Sequence, residues 1–329
     1  MAAMNGFTDL ADRVRQRDRR AIARALSVVE TGGTDAQSLL ALLHPSTGRG
    51  HIVGVTGAPG TGKSTLVNAI TAEYRRRGHT VGVIAVDPTS PFTGGAILGD
   101  RIRMQSHHGD QGVFIRSMAS RGQLGGLAVA TSDAIRVLDA AGFDPILVET
   151  VGAGQSEVEI AGAAHTTVVV LVPNLGDDIQ AIKAGILEIA DIFDVNKADL
   201  PGADQAVATL RAMMMLGARE RAQKERAADV PPWQAPIQET VGATGKGIAD
   251  LVDKILAHRA YLESSGLLNE LERGRAEGQL RDILRSWLLH ELLTKLPENG
   301  LAATATRVAG REIDPYTAAE ELFGWRCLD

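Results

Sequence analysis

The run Gly57-Ala58-Pro59-Gly60-Thr61-Gly62-Lys63-Ser64-Thr65 has the composition of a phosphate cradle. Its glycines let the backbone curl until several N–H groups point inward, and a helix starting at its end turns a positive pole to the same place. Lys63 has the reach to contact β- and γ-phosphate oxygens, and the Ser64 hydroxyl is placed to ligate Mg²⁺. Further along, Asn196-Lys197-Ala198-Asp199 offers a carboxylate that can accept the adjacent N1–H and N2–H₂ donors of guanine together. Adenine has no such pair, and a buried carboxylate left unpaired costs ~2–5 kcal/mol, so an adenine nucleotide is disfavoured. Asn196 can support the other edge of the base, and the Lys197 stem can lie along its face.

Between these motifs, Glu149 closes the apolar run Ile146-Leu-Val and is followed three residues later by Gly152. That pattern fits a Walker B and γ-phosphate-sensing segment. Glu149 would orient Mg²⁺ or its water shell, and the Gly152 N–H would report the γ-phosphate. A Glu in place of the commoner Asp implies a longer, water-mediated approach to the metal. Gln155 is a candidate for positioning an attacking water, or else a polar residue opening a helix. Asp87, at the end of a second strand, and Asp100, beyond a Gly/Pro-rich loop, are candidates for the Mg²⁺ shell; either can also be a helix cap or turn acid. Asp177 and Asp178 read equally as N-terminal helix acids, and Lys183 as a residue of a solvated face.

Positioning such groups requires strands that end beside one another. Apolar, β-branched runs predict strands at 52–55, 81–86, 113–116, 145–149, 166–172, 192–195 and 236–239, alternating with helical stretches. Such alternation implies an α/β fold, a mainly parallel sheet with helices on both faces, whose ligands gather at the carboxyl ends of the strands. We assign residues 49–262 to this domain. Residues 1–48 have no strand pattern; Leu10, Val14, Ile22, Leu26 and Val29 recur at helical spacing among arginines and acids, predicting an N-terminal helical segment. The interleaved acids favour a solvated helix face over a nucleic-acid arm. Residues 263–329 are helical, with Leu280, Ile283, Leu284, Trp287, Leu288 and Leu292 forming an apolar stripe that suits internal packing or self-association.

A chain of 329 residues with net charge −6 offers no basic field to nucleic acid or to an anionic membrane, so a small ligand or a protein partner is expected. Its one cysteine, Cys327, forms no disulfide within the chain. The longest apolar run is too short to span a bilayer, and no signal-peptide core opens the sequence, so cytoplasmic placement is expected, or the inside of an organelle if a longer precursor was trimmed.

Together with Val86-Asp-Pro-Thr-Ser-Pro-Phe-Thr-Gly-Gly-Ala96, Leu98-Gly-Asp-Arg-Ile-Arg103, Glu149-Thr-Val-Gly-Ala-Gly-Gln-Ser156 and Gly176-Asp-Asp-Ile-Gln-Ala-Ile-Lys-Ala-Gly185, these motifs resemble the methylmalonyl-CoA mutase-associated GTPases, the MeaB/ArgK-type G-protein chaperones. The resemblance implies a P-loop GTPase sheet and a Mg²⁺-dependent homodimer dimerising through its C-terminal arm. It also implies GTP and GDP as ligands and an adenosylcobalamin-dependent methylmalonyl-CoA mutase as partner, the cobalamin being held by that partner. Nucleotide state would gate cofactor loading and protect the mutase from inactivation. The resemblance makes 172–183 a third switch segment, raising Asp177, Asp178 and Lys183 as partner-facing residues and adding Lys183 to the catalytic candidates Lys63, Glu149 and Gln155. Thr240-Val241-Gly242-Ala243 stands where the family has a Ser-Ala backbone contact to guanine, so the N–H groups of Val241, Gly242 and Ala243 are expected to serve. Two other readings share the phosphate loop: a metal-insertion GTPase of the nickel-chaperone type, and a kinase acting on a small molecule or protein.

Overall fold

Runs of Val, Ile and Leu with few breaks form strands buried on both faces, the signature of a parallel sheet sandwiched between helices. All seven runs are strands: β1 Ile52–Thr56, β2 Val81–Pro88, β3 Val113–Ser120, β4 Ile146–Thr150, β5 Thr166–Leu171, β6 Ile192–Val195 and β7 Ile237–Glu239. They make one sheet in the order β3-β2-β4-β1-β5-β6-β7, every pairing parallel. The computed structural model describes residues 2–88, 107, 109–120, 126–150, 156–173, 188–224, 231–297 and 299–324.

Two strands run past their apolar stretches. β2 and β3 stay paired from Val81↔Val113 to Pro88↔Ser120, carrying the ladder through residues whose polarity hides them from a hydrophobicity reading. β4 begins at Ile146, one residue later than predicted; Pro145 has no N–H to give, although its carbonyl accepts from Gly82 N at 3.0 Å.

Side-chain alternation sends each strand's residues to two cores. Ile84, Val86, Phe114, Ile146 and Val148 face one side, where α1 (Ala2–Arg15), α2 (Arg19–Thr31), α3 (Gly33–Leu43) and α5 (Gly126–Ala140) pack. Leu10, Val14, Ile22, Leu26 and Val29 are all buried there. Each such side chain contributes about 1.5–3 kcal/mol, which is what fastens the N-terminal helices to the sheet. The arginines among them tie these helices down: Arg13 bonds Asp18 at 2.7 Å, and Arg19 Nη1 donates to the Val113 carbonyl at 2.7 Å. Val53, Val55, Val81, Val83, Leu147, Val168, Val170 and Ile192 face the other side, against α4 (Lys63–Arg76) and α8 (Ile248–Ser265). Between these elements the chain forms α6 (Ser156–Ala163) and α7 (Ala203–Lys224).

The chain divides into two units, Met1–Asn269 and Glu270–Asp329. The second holds most of α9 (Leu267–Lys295), α10 (Gly300–Ala309) and α11 (Pro315–Phe323). Along α9, Leu280, Leu284, Trp287, Leu288, Leu289 and Leu293 are exposed. Among the described residues, no helix is long and apolar enough to cross a membrane.

Candidate functional site

Chain order creates the site. After β1 the chain moves to β2 and β3 on one side, returns with β4 beside β1, then crosses to β5, β6 and β7, so the loop after β1 lies where the direction of winding reverses. That loop is 57–62. Gly57 has φ 144°, and a Cβ there would sit 2.3 Å from the Val170 carbonyl oxygen, so no other residue fits between β1 and β5. Gly62, left-handed at φ 89°, caps α4 with backbone alone; a Cβ on it would approach Asn196 Nδ2 to 2.7 Å. The first turn of α4, Lys63 to Thr65, therefore meets the loop with N–H groups that have no carbonyl one turn back within the helix. Ala58 is half-buried, while Pro59, Gly60 and Thr65 are exposed.

Lys63 is buried, and its ammonium donates to the carbonyls of Gly57 (2.7 Å) and Ala58 (3.0 Å). It thus lies inside the loop, with its charge held at the cradle. Ser64 Oγ donates to Glu149 Oε1 at 2.6 Å, with both residues buried. Since Val55 pairs with Glu149 in the β1–β4 register, the sheet itself delivers this carboxylate to the start of α4. A serine hydroxyl beside a carboxylate is a hard oxygen donor pair, the chemistry that suits Mg²⁺.

The loop after β6 is joined to the phosphate loop. Asn196 is buried; its Nδ2 donates to the Thr61 carbonyl at 2.8 Å, and its Oδ1 accepts from Gly242 N at 3.0 Å. Lys197, left-handed at φ 57°, donates from Nζ to the Gly60 carbonyl at 2.8 Å. These contacts refine the sequence reading: in this structure Asn196 braces three loops, and Lys197 crosses to the tip of the cradle. Asp199 is exposed at the outer end of the same turn. Val241 is buried and closes a short bridge with Lys246, Gly242 lies against the first turn of α4, and Ala243 is exposed.

Sequence reasoning missed two members of this joint. Thr240 is buried, and its Oγ1 lies within hydrogen-bond distance of both Asp194 Oδ2, at 3.0 Å, and Asn196 Oδ1, at 3.4 Å. Asp194 is itself buried; burial pushes its carboxyl up to about 8, and only the Thr240 bond opposes that. An acid inside the apolar strand Ile192-Phe-Asp-Val was the available signal. Asp87 lies near the end of β2, its backbone paired with Ala119. Asp100, Gly152, Gln155, Asp177, Asp178 and Lys183 fall outside the described residues, as does the third switch segment beyond Pro173.

Against known proteins, residues 22–296 match the family model described as "Methylmalonyl Co-A mutase-associated GTPase MeaB". A relative from Pyrococcus horikoshii is 50% identical and covers 96% of this chain and 97% of its own. GTPase ArgK of Escherichia coli is 32% identical, covering 94% of this chain and 93% of its own. The mouse protein named "Methylmalonic aciduria type A homolog, mitochondrial" is 32% identical over 83% of this chain and 61% of its own. Among solved structures, the "LAO/AO transport system kinase" superposes with TM-score 0.70 at 27% identity, covering 97% of this chain and 96% of that one.

Proposed function

The chain belongs to the MeaB family of methylmalonyl-CoA mutase-associated GTPases, and from that premise we propose that it is a GTP-hydrolysing chaperone of an adenosylcobalamin-dependent methylmalonyl-CoA mutase. That it is a GTPase, turning GTP into GDP and phosphate, follows from the family and its named relatives. The observation that supports the site reading is the joint of Ser64 on Glu149 beside the Asn196 brace between Thr61 and Gly242. It joins a phosphate cradle, a metal-side carboxylate and a base loop in one place.

In this reading Lys63 and the 57–65 backbone hold the phosphates, and Asp199 selects guanine with help from the N–H groups of 241–243. Ser64 would ligate Mg²⁺ and Glu149 would orient the ion or its water shell, with Asp87 and Asp100 as further Mg²⁺-shell residues; when bound, the ion would neutralise charge on the β- and γ-phosphates. Gly152 reports the γ-phosphate, Gln155 orients the attacking water, and Lys183 contributes from a partner-facing segment with Asp177 and Asp178. The mutase completes the ordering of these loops, so hydrolysis is slow alone and faster in its presence, and nucleotide state gates adenosylcobalamin loading. The uncovered stripe of α9 supports homodimerisation through the C-terminal arm, and the cytoplasm is the proposed location.

The test is GTP turnover titrated with purified mutase, with and without its cobalamin. A rate that climbs with mutase concentration is expected; equal rates with and without mutase would falsify the partnership. A second reading, phosphoryl transfer to a protein or small molecule, is favoured by the name of the superposing kinase structure. Labelled γ-phosphate recovered on a protein or metabolite, instead of as orthophosphate, is the result that would favour it.

A further inference from the structure

Thr240 has one hydroxyl proton and two acceptors within reach, Asp194 Oδ2 at 3.0 Å and Asn196 Oδ1 at 3.4 Å. It can satisfy both only if one of them supplies a proton in return. Asn196 Oδ1 has none, because it is an amide oxygen already accepting from Gly242 N. Asp194 has one only as a neutral acid. Its surroundings favour that form: it is 0% exposed, and Oδ1 has no hydrogen-bond partner among the described residues. Ionisation would leave a charge in a sealed strand with a single bond to it.

We propose that Asp194 is a positioning residue of the base loop: as a neutral acid it donates to Thr240, which turns its own hydroxyl to Asn196, so guanine-nucleotide binding weakens as Asp194 ionises. When the proton leaves for solvent, Thr240 must donate to the new carboxylate. Asn196 then loses one of its two donors, and the tie between Thr61 and Gly242 loosens. The backbone holds Thr240 in place in either form, since its N–H bonds the Val195 carbonyl at 3.0 Å and its carbonyl takes Ala198 N at 3.0 Å. Only the hydroxyl's direction changes.

Among the described residues of the elements packed against β6, β5 carries no ionisable group, β7 carries Glu239, α8 carries Asp250, Asp253, Lys254, His258, Arg259, Tyr261 and Glu263, and the first half of α7 carries Asp204 and Arg211; Lys63 opens α4, and Lys197 and Lys246 lie in the adjoining loops. Lys254 bonds Gln238, Lys63 bonds the Gly57 carbonyl, and Lys197 bonds the Gly60 carbonyl, so these three ammonium groups are engaged away from Asp194. Burial dominates its titration, with the Thr240 bond as the opposing influence.

The inference rests on reading 196–199 as the guanine loop, and the test separates the two. Binding of a fluorescent GDP analogue, with Mg²⁺ in the buffer, is measured at pH 6.5, 7.5 and 8.5 for the full chain and for two variants. The wild-type dissociation constant is expected to rise roughly two- to five-fold across that range, the worth of about one hydrogen bond. Asp194→Asn, whose amide donates to Thr240 at every pH, should show no such rise. Thr240→Val should bind more weakly throughout, also without a pH slope. A flat wild-type profile overturns the proposal, and so does a slope retained in Asp194→Asn, which would trace it to another group. Absence of GDP binding in the wild type would instead overturn the base-loop reading itself.

Discussion

At the scale of single residues, the proposed selection of guanine rests on the chemistry of one side chain, Asp199. A carboxylate presents only acceptors, and in the proposed site guanine would meet them with N1–H and N2–H₂. Asp199→Asn replaces one acceptor by a donor, which suits xanthine, where an oxygen stands in place of the amino group. The variant should lose GTP turnover and gain turnover of xanthosine triphosphate, with the ratio of kcat/KM values moving by about 100-fold or more. An unchanged ratio would remove Asp199 from the base site. The convergence of the candidate residues was legible where type and spacing carried it: Lys63, Ser64, Glu149 and Asn196 do come together in the fold. What spacing could not supply was the use of each group. Asn196 spends its amide on Thr61 and Gly242, and Thr240, forty-four positions downstream of Asn196, joins the same network only because β7 lies beside β6.

Elements set the limits of what a sequence can tell about this fold. Strands whose faces are both buried leave an apolar run, which is why β1, β4, β5 and β6 were readable almost to the residue. The end of the β2–β3 ladder left no such trace, because the paired residues there, Asp87-Pro88 and Ala119-Ser120, form no apolar β-branched run. The far end of the sheet holds a feature that periodicity cannot announce. His51 Nε2 and His258 Nδ1 both meet Thr166 Oγ1, at 2.8 Å and 2.9 Å, and Trp233 packs on His258 with centroids 4.8 Å apart. Burial, with the nearby His165 as a lesser cause, pulls His258 down to about 4, although Asp191 Oδ1 stands 3.5 Å from its Nε2. The sign follows directly. The unfolded chain takes up a proton on this histidine near pH 6.5 and the folded chain only near 4, so stability falls as pH drops through that window. Between pH 7 and pH 5 the loss is about 2 kcal/mol. Urea unfolding at the two pH values should show it, and His258→Gln should shrink the difference; an equal difference in the variant would move the effect to another group.

For the molecule as a whole, the two units differ in how they keep their apolar surface from water. Among the described residues, the unit Met1–Asn269 buries most of its large apolar side chains in the cores on either face of the sheet. The unit Glu270–Asp329 leaves Leu284 and Leu288 of α9 more than half exposed, with Trp287 beside them at 58%. Under the homodimer proposal, Leu284→Arg with Leu288→Arg should convert a dimer into a monomer by light scattering while GDP binding persists. A dimer surviving the double change would place the self-contact elsewhere. Mass action adds a consequence. Under the same proposal, a stripe covered by a second copy makes the stability of the arm depend on how many copies are present, so its melting temperature should climb with chain concentration while that of the nucleotide-binding unit stays put. Dilution would then act on this protein as a selective denaturant, loosening the arm first.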